Sequence, residues 1–168
     1  MEWTFELRED VKFHDGTPFN AQAVKINVER QLQNNGEMTY APFVFGLIKK
    51  VEVIDQYKVL FSLYHPYSPL LKNLAMPFAA PIVSPNALKT YGDDFWKHPS
   101  GTGPFELKKW SPESVLLTSN HDYWGQRPSV ESIAFLTIPS EVERVRMLQN
   151  GKAHIATNIN MQNAQMLQ

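Results

Sequence analysis

The sequence predicts a mixed α/β fold made of two units, and three features support this prediction. Residues 3–8 alternate apolar and polar side chains, as half-buried strands do, and a turn and a helix follow. Two pairs of strand-like runs each predict an antiparallel hairpin. These runs cover residues 48–54, 57–64, 105–110 and 114–119. Glycines and a proline at 101–104 mark a chain reversal between the hairpins. We therefore expect a small α/β lobe over 1–100 and a shorter unit over 101–168.

The helix after the first strand has clear start and stop signals. Asp15 and Gly16 form a turn pair, because glycine accepts a positive φ and the aspartate side chain bonds nearby backbone amides. Asn20 can cap the helix that follows. The inward stripe of this helix consists of Val24, Val28 and Leu32, and the Asn-Asn-Gly run at 34–36 ends it.

Two more helices and an irregular strand complete the first unit. A short helix carries the leucines at 70, 71 and 74. Residues 76–83 predict an irregular buried strand, because apolar residues dominate this run. Ser84 caps the next helix and Pro85 occupies its first turn.

The second unit is expected to hold a hairpin, a strand, a helix and a final strand. The single strand covers 130–138 and the final strand 153–157, and the last ten residues predict a weak helix. Ser140 and Glu143 have the spacing of a capping box at the start of the helix between the strands. The inner face of this helix is predicted to carry Val142, Val145 and Leu148, and Gly151 ends it.

Composition excludes several classes of function. The 168 residues carry 16 basic and 17 acidic side chains, a net charge of −1, without a run of like charges. Nucleic acid and anionic membranes require concentrated positive charge, so we expect neither as a partner. The absence of cysteine excludes disulfides and thiolate chemistry. No stretch approaches the roughly 20 apolar residues of a membrane span. Because Met1 leads directly into a strand-like run without a secretory leader, we interpret the chain as a fragment.

Residues that could carry catalysis do not converge in this sequence. The five histidines show neither an i, i+4 pair nor a His-Glu-x-x-His pattern. No serine lies in a Gly-x-Ser-x-Gly elbow, and the glycines at 101 and 103 lack the Lys-Ser/Thr of a phosphate loop. We therefore predict no catalytic residue, no metal site and no cofactor. The tryptophans are interpreted as packing residues, and they are Trp3, Trp96, Trp110 and Trp124.

Four segments of the chain form a characteristic series. They are the opening run from Trp3 to Phe19, Gly101-Thr-Gly-Pro-Phe105, Asn120-His-Asp-Tyr-Trp-Gly125, and Ile138-Pro-Ser with Gly151-Lys-Ala-His-Ile155. In this order they resemble the family 5 extracellular solute-binding proteins of bacterial ABC importers. In the last segment His154 stands where the family usually has an aspartate. The resemblance implies a type II periplasmic-binding-protein architecture, of which this chain would be the middle lobe and part of the first lobe.

The resemblance also implies where a ligand is held. Two lobes of such a protein close on a ligand, and loops rich in methionine and aromatic rings suit a tolerant wall. The candidate wall residues are Met38, Tyr40, Met76 and Phe78, and core filling is the alternative for each. Gly101, Thr102 and Gly103 are candidates for a hinge, because glycine absorbs dihedral changes easily. A static tight turn is the alternative for them.

The function implied is capture of oligopeptide or dipeptide cargo for ABC permease subunits by two-lobe closure. The protein would act in the periplasm or outside the cell, as a surface lipoprotein in a Gram-positive organism. Binding of nickel or a metal chelate is the alternative within the family. It is disfavoured because Ala79 and Ala80 stand where nickel-binding relatives have an arginine after Pro-Phe. An alternative of another class is a sensor or interaction module without transport.

Overall fold

The computed structural model describes residues 1–33, 40–77 and 80–165 of the chain. The helices are α1 (Ala21–Gln33), α2 (Ala41–Phe45), α3 (Leu70–Leu74), α4 (Pro85–Tyr91), α5 (Glu141–Gln149) and α6 (Met161–Gln165), with a 3-10 helix at Gly92–Lys97. The strands are β1 (Glu2–Glu6), β2 (Ile48–Asp55), β3 (Lys58–Leu63), β4 (Phe105–Trp110), β5 (Ser114–Ser119) and β6 (Ser132–Leu136). Both predicted hairpins are present, and so is a weak C-terminal helix.

The first sheet has the strand order β1-β3-β2 and is antiparallel throughout. Its central strand, β3, alternates buried and half-buried residues, as the period-two pattern predicts. Val59, Phe61 and Leu63 form the buried face of β3. Phe61 lies opposite Val51 on β2 and opposite Trp3 on β1. This face forms one side of the hydrophobic core.

Short helices close the other side of that core. Val24 and Val28 of α1 pack into it with Phe45 of α2 and Leu70 of α3, and all four are buried. Asn27 is also buried on α1, where its Nδ2 donates to the Ala23 carbonyl at 2.9 Å and the Val83 carbonyl at 2.8 Å. Its Oδ1 accepts from Val83 N at 3.1 Å. The first helix is thereby tied to the segment that leads into α4.

The second sheet has the strand order β4-β5-β6 and carries few buried side chains. A β-bulge lies between Leu107 and Lys109 of β4, so that Lys108 has no direct partner on β5. Ser140 caps α5 by accepting from Glu143 N at 3.3 Å, as the capping-box spacing predicts. Val145 is the buried residue of this helix.

Three local predictions differ from the structure. Residues 76–77 and 80–83 do not form a strand, because the prolines at 77 and 81 lack the N–H that a ladder requires. Residues 153–157 do not form one either, since no strand of the described part pairs with them. Val142 is 70% exposed and does not lie on the inner face of α5. No helix in residues 1–33, 40–77 or 80–165 combines the length and apolar character that a membrane crossing requires.

Candidate functional site

Two of the four predicted wall residues fall in the described part of the chain. Tyr40 directly precedes α2, its carbonyl accepts from Val44 N at 3.0 Å, and its side chain is 61% exposed. Met76 follows α3 and packs, partly buried, against the hydrophobic core. Core filling is therefore wrong for Tyr40, whereas Met76 does fill the core edge. Met38 and Phe78 lie outside the described residues.

The short helices α2 and α3 bring the two wall segments to neighbouring positions. Asn73 of α3 is buried, and its Nδ2 donates to the Phe43 carbonyl at 3.4 Å and to the Tyr67 hydroxyl at 3.0 Å. Phe43 is 61% exposed, like Tyr40 three residues earlier, and this spacing places both rings along one side of α2. Phe43 was not among the wall residues predicted from the sequence, although its i+3 relation to Tyr40 was a usable signal.

Residues 100–104 form the crossing between the two predicted units, and every carbonyl oxygen in this segment accepts a hydrogen bond. Three carbonyls accept from the backbone: Ser100 from Ser84 N at 2.8 Å, Gly101 from His14 N at 2.9 Å, and Pro104 from Asn120 N at 2.8 Å. The other two accept from side chains. Trp124 Nε1 donates to the Thr102 carbonyl at 3.0 Å, and His14 Nε2 and Asn120 Nδ2 donate to the Gly103 carbonyl at 3.0 and 3.1 Å. These donors belong to both units, so the crossing is fixed from each side. Each carbonyl thus has the partner that a backbone acceptor away from water requires.

His14 contacts the crossing with both ring nitrogens. The Gly101 N–H donates to Nδ1 at 3.2 Å, so Nδ1 carries no proton. The proton therefore lies on Nε2, which donates to the Gly103 carbonyl at 3.0 Å. This neutral tautomer satisfies one donor and one acceptor of the crossing at once. His14 therefore has a structural role and is not available as a metal ligand here.

Asp15 connects the same turn to the N-terminus of α4. Its Oδ1 accepts from Thr17 N at 3.1 Å, as the turn prediction requires, and from the Thr17 hydroxyl at 2.5 Å. Its Oδ2 accepts from the Ser84 hydroxyl at 2.5 Å and from Asn86 Nδ2 at 3.3 Å. Burial alone would raise the pKa of this carboxyl. The hydrogen bonds from Ser84, Thr17 and Asn86 outweigh that effect and hold the pKa below its ordinary value.

The second unit contributes the Asn-x-x-x-Trp part of the third sequence motif. Asn120 is buried, and its Oδ1 also accepts from Asp122 N at 2.9 Å, which fixes the side chain for its bond to Gly103. The Trp124 indole lies under the Arg8 guanidinium, 4.6 Å from the ring centroid. This cation–π contact joins the first unit to the aromatic ring that holds Thr102.

The candidate hinge glycines do not use the conformational freedom of glycine. Neither Gly101 nor Gly103 has a positive φ, whereas Gly16, Gly92 and Gly151 do. A Cβ added to Gly103 would meet no atom within 4 Å. In this conformation, therefore, the crossing has the geometry of an ordinary bonded connection, and its hinge role stays a prediction.

The described residues combine exposed rings on α2 with a hydrogen-bonded crossing. In the described ranges, no group of three or more His, Asp or Glu side chains could hold a metal ion. The exposed rings of α2 offer a flat apolar contact, and the crossing offers a stiff connection between units.

Comparison with known proteins identifies the class. A profile of the family described as "Bacterial extracellular solute-binding proteins, family 5 Middle" matches residues 1–168, and the chain belongs to this family. The glutathione-binding protein GsiB of Salmonella typhi is 36% identical over 169 residues, which is 99% of this chain and 33% of that protein. The chain spans about a third of the length of the curated relatives it matches.

Solved structures agree on the fold. The periplasmic binding protein DppA from Helicobacter pylori, in complex with the peptide STSA, has a TM-score of 0.85 and 28% identity. This chain is covered to 99% in that comparison and DppA to 37%. NikA from Brucella suis, in complex with Fe(III)-EDTA, has a TM-score of 0.80 and 34% identity. That comparison covers 90% of this chain and 30% of NikA. The predicted type II periplasmic-binding-protein fold and the fragment interpretation are confirmed.

Proposed function

We propose that the protein is the solute-capturing component of a bacterial ABC importer and that its cargo is a short peptide. The observation that carries the proposal is the 36% identity, across nearly the whole chain, to proteins that bind glutathione, itself a tripeptide. The fold similarity to a DppA bound to a tetrapeptide supports the same class of cargo. Cargo would pass to permease subunits from the periplasm or the cell exterior.

The proposed mechanism is closure of two lobes on the ligand without a covalent step. A ligand that contacts both lobes only in the closed form shifts the population toward that form. In this chain the Tyr40 and Phe43 rings would contribute one wall of the cleft. Flat rings at the edge of a short helix contact apolar parts of varied side chains, which suits peptide cargo of several sequences.

A metal chelate is the second candidate cargo, favoured by the likeness to NikA bound to Fe(III)-EDTA. A chelate with several carboxylates needs a cation beside it, since buried anionic groups require a partner. The residues after Phe78 are two alanines and a proline, so this segment offers no positive charge. Peptide cargo therefore remains the first candidate.

Native mass spectrometry of the protein at its natural length, purified without refolding, tests the cargo class. We expect a mass excess that matches short peptides. Titration calorimetry with glutathione and with di- to tetrapeptides should then give saturable binding, weakened about tenfold by Tyr40→Ala, as truncation of an aromatic contact residue commonly does. Phe135→Ala is the matched control, because Phe135 is 57% exposed and lies on β6 in the second unit.

Other outcomes correct the proposal in different ways. A mass excess of a metal with a small chelator would overturn peptide cargo and keep the importer role. An absence of saturable binding to peptides, metal chelates and sugars would overturn the importer role and favour a sensor or interaction module.

A further inference from the structure

A groove of about 750 Å³ separates the two units on a surface that includes none of the predicted wall residues. One side is formed by α4 and the 3-10 helix, and the other by β4. His14, Asp15 and Ser100 lie at its base, and all three belong to the bonded network around the crossing. Ligand sites of small molecules have this volume and often lie between domains. The fixed base makes the groove preformed.

Aromatic rings line both sides of the groove. Trp96 lies on the 3-10 helix and Trp110 on β4, and each is 50% exposed. Their rings meet edge to face across the groove, with centroids 5.5 Å apart. Tyr91 stacks on His98 with centroids 4.0 Å apart. The two tryptophans therefore pack against each other, as predicted, and each also keeps half of its side chain exposed. Half-exposed rings that converge in a groove are typical of ligand contact, because each offers an apolar face at a low entropic cost.

Positive charge accompanies the rings. Lys97 is held by Asp94 at 2.6 Å and lies over the Trp96 ring, so its charge is offset. Lys108 and Lys109 are exposed and line the groove, and they form no ion pair within the described ranges. The β-bulge leaves Lys108 without a direct partner on β5, next to Lys109 in the lining of the groove.

Two carboxylates also line the groove, and the hydrogen bonds that Asp15 accepts come from neutral groups and leave its negative charge in place. The Asp15 carboxylate is occupied by Ser84, Thr17 and Asn86, as described above. Glu106 is the other carboxylate that lines the groove. Lys108 and Lys109 directly precede Trp110 on β4 and form no ion pair in the described ranges, so they are the cations that an anionic ligand against this ring would use.

We propose that this groove is a second ligand site, separate from the cargo wall, for a small anion with a planar or aromatic body. The ring system of the ligand packs against Trp96 and Trp110, and its carboxylate or sulfonate is bound by Lys108 and Lys109. Because the groove is lined by both units, a bound ligand stabilises their present orientation. The proposal does not depend on the identity of the cargo.

Equilibrium dialysis of the protein at its natural length with 1-naphthoate tests this site. We expect saturable binding at one equivalent, with a Kd below about 1 mM. The neutral analogue 1-naphthalenemethanol should bind about tenfold more weakly, because it lacks the charge-assisted contacts. Butyrate, which has the charge without the ring, should not bind measurably.

Variants of the groove separate the contribution of the lysines to binding from that of the tryptophan. The double variant Lys108→Gln with Lys109→Gln should weaken 1-naphthoate about tenfold and leave 1-naphthalenemethanol unchanged. Trp110→Ala should weaken both ligands about fivefold or more. Matched controls are Lys72→Gln with Lys152→Gln, which changes two exposed lysines elsewhere, and Phe135→Ala. Circular dichroism and thermal unfolding of every variant check that the fold is retained.

The same experiment distinguishes the groove from the cargo cleft. Tyr40→Ala should leave 1-naphthoate binding unchanged if the ligand occupies the groove. Weaker binding in Tyr40→Ala with normal binding in the groove variants would overturn the proposal and assign the ligand to the cargo wall. No saturable binding of 1-naphthoate up to 5 mM would overturn it as well.

Discussion

The two units of the molecule are stabilised in different ways. Of the seventeen buried apolar residues in the described part, sixteen come before residue 88, and Val145 alone belongs to the second unit. In the second unit large side chains such as Phe135, Val142 and Ile155 are 57%, 70% and 83% exposed. Within the described residues, the first unit therefore has a continuous hydrophobic core, whereas the second buries little apolar surface.

This difference explains why the crossing is bonded so completely. A unit with little apolar burial gains its fixed position from specific polar contacts to a unit that has a core. His14 supplies these contacts from the first unit, Asp15 adds its backbone N–H to the Ser100 hydroxyl at 3.1 Å, and Asn120 and Trp124 supply them from the second unit. The four residues belong to two of the motifs in the sequence, which are thereby shown to meet in space.

The largest effect is expected from a cavity in the first core. Phe45 is 2% exposed, and Phe45→Ala should lower the free energy of unfolding by about 3–5 kcal/mol. This loss of free energy is measured by urea unfolding, with circular dichroism as the signal. Phe135→Ala, the same change at an exposed position of the second unit, should stay within about 0.5 kcal/mol of the wild type. Equal losses in the two variants would show that the second unit has a core after all.

An intermediate effect is expected at Asp15, and it should depend on pH. The pKa of this carboxyl is lowered in the folded state, so ionised Asp15 stabilises the fold above its unfolded pKa, near 3.8. That stabilisation is lost as the pH falls through the still lower folded pKa. Asp15→Asn should therefore be less stable than the wild type at pH 7, and the gap should shrink below about pH 4.

Unfolding free energies of both proteins between pH 2 and pH 7 test this prediction. A gap that stays constant across the range would mean that the hydrogen bonds matter and the charge does not. In that case the low pKa would have to be abandoned, while the link from the turn to α4 would stand.

Local structure was predictable from the sequence because local rules determine it. The alternation in residues 3–8 specified β1, the spacing of Val24 and Val28 specified the inner face of α1, and Ser84 and Ser140 marked the starts of α4 and α5. Each of these signals acts within a few residues. The strand predicted over 76–77 and 80–83 was wrong because prolines 77 and 81 lack the N–H of a ladder, which the sequence already showed. The strand predicted at 153–157 was wrong because a strand also needs a partner, which a local pattern cannot show.

The contacts that organise the crossing could not be predicted in the same way. His14 lies 87 residues from Gly101 in sequence, and Asp15 lies 69 residues from Ser84. The turn role of Asp15 was predictable, since Thr17 is two residues away, but its bonds to α4 were not. The exposure of Trp96 and Trp110 likewise depends on how the units pack. For the proposed cargo wall, the sequence named Tyr40, and the structure added the exposed ring of Phe43.

The smallest effect on stability is expected at Gly103 in the crossing. The variant Gly103→Ala tests whether the crossing is a static connection or a hinge. The φ of Gly103 is not positive and a Cβ would meet no neighbour, so Gly103→Ala should change the unfolding free energy by less than about 1 kcal/mol, in either direction. Gly92→Ala is the matched control. A Cβ at Gly92 would also meet no neighbour, but Gly92 has a φ of +52°. An alanine in this left-handed conformation should lower the free energy of unfolding by about 1–2 kcal/mol.

Cargo affinity in Gly103→Ala then completes the comparison of the two units. If the crossing is a static joint, the Kd for peptide is unchanged, because the units move as one body. If Gly103 is a hinge, closure requires dihedral angles that alanine disfavours, so affinity falls while stability does not. A loss of stability equal to that of Gly92→Ala would contradict both readings, because it would require a strained backbone at Gly103 that the structure does not have.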